Sequence, residues 1–149
     1  MNPALQKIAD YMSCHRDRSA IDPAEIGASL LQHLFILEVR RKPGGTPPSL
    51  FIRLSGTALD RAFGRSVKGC CLDDFLHGPR SADVLNGFRA CADNHEPLWM
   101  RQVVCLAGRL PRYVEGIAYY VEPDLIYGGL MVGEISAENS ASSFESRRI

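Results

Sequence analysis

Arg53 to Leu76, RLSGTALDRAFGRSVKGCCLDDFL, decides how the rest of the chain is read. Just upstream and into it, Phe51, Ile52 and Leu54 close an apolar, strand-like run that stops at Ser55, Gly56 and Thr57, residues of turn chemistry. Leu59, Ala62 and Phe63 then recur at helical spacing until Gly64 ends the turn. A strand passing through glycine into a short helix reads as the entrance to a cavity, and Gly56, Gly64 and Gly69 read as chain-turning positions. They are not a phosphate cradle, because they lack the required spacing and the long following helix.

Upstream, Leu5, Ile8, Ala9 and Met12 fall on one face of a helix over 3–17. Asp22 as N-cap, Pro23 at the first helical position and Glu25 in the first turn open a second helix that runs to Gln32. LFILEVRR and LFIRL are strand-like runs, and the Pro- and Gly-rich residues Lys42 to Ser49 make a wide hairpin loop between them. Downstream, Ser81 can cap a helix whose buried stripe is Val84 or Leu85, Phe88 and Ala92, ending at Asn94 and Pro97. Strands follow at Leu98 to Leu106, Arg112 to Glu122 and Ile126 to Ile135, and their short linkers permit only an antiparallel meander. The predicted fold class is α+β: a five-stranded antiparallel sheet with helices packed on one face, plus N-terminal helices. Residues 1–32 read as a helical extension, 33–135 as the domain and 136–149, Ser-rich and poor in apolar residues, as a disordered tail.

The 149 residues have room for one core. Seventeen acidic residues balance seventeen basic ones, so no net field draws the chain to nucleic acid or an anionic membrane. The apolar start is broken by Gln6, Lys7 and Asp10, which excludes a signal peptide or membrane span there and places the protein in the cytoplasm. Five cysteines without repeated CxxC spacing read as reduced, mostly buried thiols rather than disulfides or a zinc site.

The pieces SGTALDRAFG, KGCCLDDFLHGPRSADVLNGFRACADNHEPLWMRQV, GRLPRYVEGIAYYVEPD and GGLMVGEIS together resemble a PAS domain. IDPAEI and LFILEVRR resemble a bacterial PAS-like subfamily that commonly stands alone. The chain departs from common PAS patterns in its expanded Pro/Gly loop and in GPR where a PED-like turn is usual. The resemblance implies a cavity between sheet and short helices, lined by Phe63, Leu72, Phe75, Leu85, Phe88, Val104, Ala118 and Met131, residues whose bland reading is core packing. It also implies a homodimer, here using Leu5, Ile8 and Met12 with Trp99 and Tyr119 on the outer sheet.

The polar residues narrow the chemistry. Arg53 shares a face with Phe51, as a paired or snorkelling guanidinium or as an anchor for an acidic ligand. Haem is disfavoured because His77 and His95 sit at the ends of the longer helix, where side chains tend to face water, and flavin because no NCRFLQ-like motif is present. Asp73 and Asp74 are adjacent and project about 100° apart, so they cannot face each other as acid and base. Arg101, Gln102, Arg112 and Glu115 read as exposed sheet residues. The leading reading is a sensory or regulatory protein that is not an enzyme, binding a small ligand of unknown identity and/or acting as an adaptor through a protein partner. The alternative is a small enzyme or metabolite-binding domain using His77, Arg53 or Cys70.

Overall fold

Apolar residues at every second position of β1 (Leu34–Arg40) place Phe35, Leu37 and Val39 on one side of a sheet, with Leu34, Ile36 and Glu38 on the other. The structure, a computed structural model, describes residues 1–15, 17, 20–77, 80–106, 110–136 and 145–149, without the side chains of residues 75, 77, 105 and 106. β1 pairs antiparallel with β2 (Ser49–Ser55) and with β6 (Leu125–Gly133). β6 pairs with β5 (Arg112–Val121), and β5 with β4 (Leu98–Leu106). These are the five expected strands, in the order β2-β1-β6-β5-β4. Two short strands, β3 (Leu76–His77) and β7 (Glu145–Arg148), share the free edge of β4.

β7 departs from the expectation of a disordered tail. Its backbone pairs with Leu98 to Arg101, Glu145 accepts from Arg101 at 2.8 Å, Arg148 pairs with Glu96, and the Arg147 guanidinium lies over the Trp99 ring. Pairing to an open sheet edge thus supplies what the segment's few apolar groups cannot. The rest of the expected tail, residues 137–144, lies outside the described residues, as do parts of the GPR and AGRLP turns.

The domain's own helices lie on one face of the sheet, as expected, and the N-terminal helices cover the other. On the inner face lie α4 (Thr57–Phe63), α5 (Leu72–Phe75) and α6 (Ser81–Asn94), whose Leu59, Leu72, Val84, Phe88 and Cys91 share a core with Phe35, Leu37, Ile52, Met100, Ala118 and Ile126. The Phe35 and Phe88 rings meet edge to face at 5.7 Å. Across the outer face runs α1 (Pro3–Cys14), which buries Leu5, Ile8, Ala9 and Met12 against Trp99, Ile117, Tyr119 and Val121. A helix of this length is marginal alone, whereas each fully buried side chain of this kind contributes about 1.5–3 kcal/mol, so the sheet stabilises α1.

The second helix is split. Asp22 does cap Ala24 N–H, at 2.9 Å, but Gly27 at φ +98° divides the segment into α2 (Pro23–Ile26) and α3 (Ala28–Leu31). α6 begins without a side-chain cap: Arg80 holds the cap position and Ser81 is the first helical residue. Gly64 and Gly69 have φ of +74° and +87°, as chain-turning glycines should. Gly56 does not; its φ is -72°, and its need for glycine is steric. A Cβ there would lie 2.2 Å from the Gln32 carbonyl oxygen, and this close approach lets Leu34 and Gln32 accept from the Gly56 and Ala58 N–H groups at 2.8 and 3.0 Å.

Backbone atoms cannot yield as a side-chain tip can. Gly56→Ala is therefore expected to destabilise the fold by about 3 kcal/mol or more, and Gly69→Ala, which meets open space but keeps a left-handed φ, by about 1–2 kcal/mol. Urea unfolding of both variants checks this; equal losses would show that the Gly56 contact is not limiting.

Candidate functional site

Strand alternation along β4 sends Leu98, Met100, Gln102 and Val104 to the inner face, while Trp99 packs outward under α1. Met100 is a core residue, and Gln102, two positions on, is completely buried. Neither Oε1 nor Nε2 of Gln102 has a hydrogen-bond partner among the described residues. Its cross-strand neighbour on β5 is Val114, itself buried. On the other edge of β4, β7 pairs as far as Arg101 and β3 only at Cys105 and Leu106, so no described strand pairs with residues 102–104. A primary amide with two donors and an acceptor thus sits at an interior gap in an otherwise apolar face, where each unmet group costs on the order of 1–3 kcal/mol.

Of the residues expected to line a cavity, Leu72, Phe88 and Ala118 are buried in the inner core, and Phe63 and Leu85 are partly buried against it. Val104 is half-buried, on the same side of β4 as Gln102. The side chain of Phe75 lies outside the described residues. Met131 does not join this group: it packs with the outer core, because its neighbour across the ladder is Glu115, on the outward face of β5.

Arg53 is also on the wrong face. By alternation Arg53 shares the outer face with Phe51 and Glu38, opposite buried Leu50 and Ile52; the β1–β2 register shift between Ile36 and Leu37 leaves it unpaired in the ladder, and Leu54 after it is exposed as well. The Arg53 side chain is 48% exposed and lies 3.8 Å from Glu38, which also takes Arg40 at 3.0 Å. This is the surface ion pair among the alternatives, not a cavity anchor, and such pairs contribute about 0–1 kcal/mol.

The expected dimer surface is occupied within one chain. Leu5, Ile8, Met12, Trp99 and Tyr119 are all at most 5% exposed, since α1 folds back over its own sheet. Glu115, read as exposed, fastens this arrangement by accepting from Trp99 Nε1 at 2.8 Å and from Asn2 N–H at 3.0 Å.

A family model described as PAS domain matches residues 3–88, more than half of the chain, from the start of α1 into α6. The chain belongs to the PAS domain family. Comparison with curated proteins finds no significant match. PAS domains are generally sensory rather than catalytic, and the α+β fold described above is consistent with the family.

Within this PAS domain the side chains once weighed for chemistry have structural partners. His95 adopts a left-handed φ at the end of α6 and stacks on Tyr120 with ring centres 3.9 Å apart. The side chain of His77 lies outside the described residues. No cluster of three or more metal-binding side chains occurs among the described residues. Asp73 accepts from Leu50 N–H at 3.1 Å and from Arg89, tying α5 to β2 and α6, while Asp74 is exposed. Cys71 donates to Asp73 at 3.4 Å, and burial, with the neighbouring acids, raises its pKa. Burial pushes the Cys91 thiol up to about 12.

Both shifts disfavour the thiolate, the reactive form. Titration with a thiol-reactive disulfide at pH 8 should modify exposed Cys14 first, Cys71 slowly, and Cys91 only after unfolding. Peptide mass spectrometry reads the order; rapid modification of Cys71 in the folded protein would show that its thiol is reactive despite burial.

Proposed function

We propose that this PAS domain is a sensory or regulatory module that holds a small molecule against Gln102, on the inner face of the sheet. The observation that carries the reading is the completely buried amide without partners among the described residues. A buried polar group without partners is rare in native proteins, and a ligand offering a donor and an acceptor to the same amide removes the penalty. Met100, Val104 and Val114, the neighbours of Gln102 along and across the ladder, would supply apolar surroundings for such a ligand, and the gap in strand pairing at residues 102–104 among the described residues a route toward it. The catalytic alternative has less support: Arg53 is a surface ion pair, the Cys71 thiol is raised, and Asp73 is engaged structurally. We place the protein in the cytoplasm, where thiols such as Cys14, Cys70, Cys71 and Cys91 stay free, and we assign its output to a protein partner.

Gln102→Met tests this, since it keeps length and removes the amide. If the amide serves a ligand, the variant should gain about 1–3 kcal/mol of stability when empty. It should also lose any small molecule that native mass spectrometry finds on the wild type. A variant that is less stable and carries the same adduct would sink the proposal.

A further inference from the structure

The outer face holds a second concavity, separate from the Gln102 site. α1 covers the part of that face formed by β4, β5 and β6, but beside it a pocket of about 410 Å³ opens between the N-terminal helices and the sheet. Its walls include Ile26 of α2, Leu31 of α3, Leu34 and Ile36 of β1, Leu54 of β2 and Tyr127 of β6. The volume lies within the roughly 300–1,000 Å³ of small-molecule sites. Walls drawn from so many elements make a concavity, into which a flat protein face does not fit.

The chemistry of the walls selects the occupant. No Asp, Glu, Lys, Arg or His lines the pocket among the described residues. An ionised ligand would lose its hydration there and gain no partner, so charged molecules are excluded on energetic grounds. The polar side chains are few. Ser55 is engaged by Asp60, and the Gln32 amide nitrogen donates to Ser29 O at 3.0 Å. The hydroxyls of Thr57 and Tyr127 have no partner among the described residues and are available to orient a ligand. Ala28, the smallest wall side chain apart from glycine, follows the left-handed Gly27 that splits the second helix, and leaves the space open. Leu54, 40% exposed, stands at the rim as an apolar entrance.

We infer that this pocket binds an uncharged, predominantly apolar small molecule with one or two hydrogen-bonding groups, held between α2, α3 and the outer face of β1, β2 and β6. Because α1, α2 and α3 supply one side of the pocket, occupancy bears on how the N-terminal segment seats on the sheet.

The test is a fluorescence titration of the full chain with N-phenyl-1-naphthylamine, an uncharged apolar dye, alongside its sulfonated anionic counterpart. Saturable one-to-one enhancement is expected with the neutral dye, and binding at least roughly tenfold weaker with the anion. Leu54→Glu, which places a charge at the exposed rim, and Ala28→Trp, which fills the space from an exposed position, should each weaken the neutral dye at least roughly tenfold. Circular dichroism should show both variants folded, and Gln102→Met should leave dye binding unchanged. No saturable binding, or binding that survives both pocket variants and disappears in Gln102→Met, would overturn the inference. So would light scattering showing a dimer whose formation shuts out the dye, since a second copy would then be the occupant.

Discussion

A carbonyl oxygen stands where a methyl group at position 56 would go. The approach of Gly56 to the backbone of Leu31 and Gln32 ties the N-terminal helical segment to the junction of β2 and α4. From this crossing α4 starts toward the inner face, while α2 and α3 remain on the outer one. Both sides of the sheet are organised around one place where only glycine fits. Gly128, whose Cβ would lie 2.3 Å from both the Ile117 carbonyl oxygen and the Phe35 ring, imposes a related limit where β6 passes between β1 and β5.

Covering both faces changes what the surface residues do. Trp99 and Tyr119 look like anchors for another protein, but with α1 in place they are the floor of a second core, and Glu115 secures Trp99 from below the helix N-terminus. The covering is incomplete beside α2 and α3, where the outer pocket opens. β7, by contrast, adds ladder bonds and exposed ion pairs but little buried surface, and each such pair is worth about 0–1 kcal/mol. The edge of β4 is therefore the lightly held side of the sheet, and Gln102 lies just beyond the last residue that β7 covers.

Much of the fold was legible because it rests on local periodicity. Alternation in LFILEVRR and LFIRL, the Asp22–Pro23 start and the spacing of Leu5, Ile8 and Met12 depend only on neighbours in sequence, and the elements form where those signals lie. The candidate site was legible only in part. Leu72, Phe88 and Ala118 obey the same periodicities and share the inner core, whereas Arg53 and Met131 were assigned to the wrong face. Arg53 does share a face with Phe51, but that is the outer face: which side of β2 meets the inner core is set by its packing partners, which local alternation cannot reveal. Gln102 carried a readable signal, since it has the parity of Leu98 and Met100, but a polar residue in a strand is ordinarily assigned to solvent.

The sequence by itself determined the class of fold, the family, the five long strands and the positions of most helices, because hydrophobic period and turn chemistry act over a few residues. Only the tertiary structure decided that α1 covers its own sheet, that Gly56 is required by contact rather than by φ, and that Gln102 is buried without partners among the described residues. These depend on which distant segments meet, through approaches as long-range as Gly56 to Gln32 and Trp99 to α1, and no local pattern encodes which surfaces will be brought together.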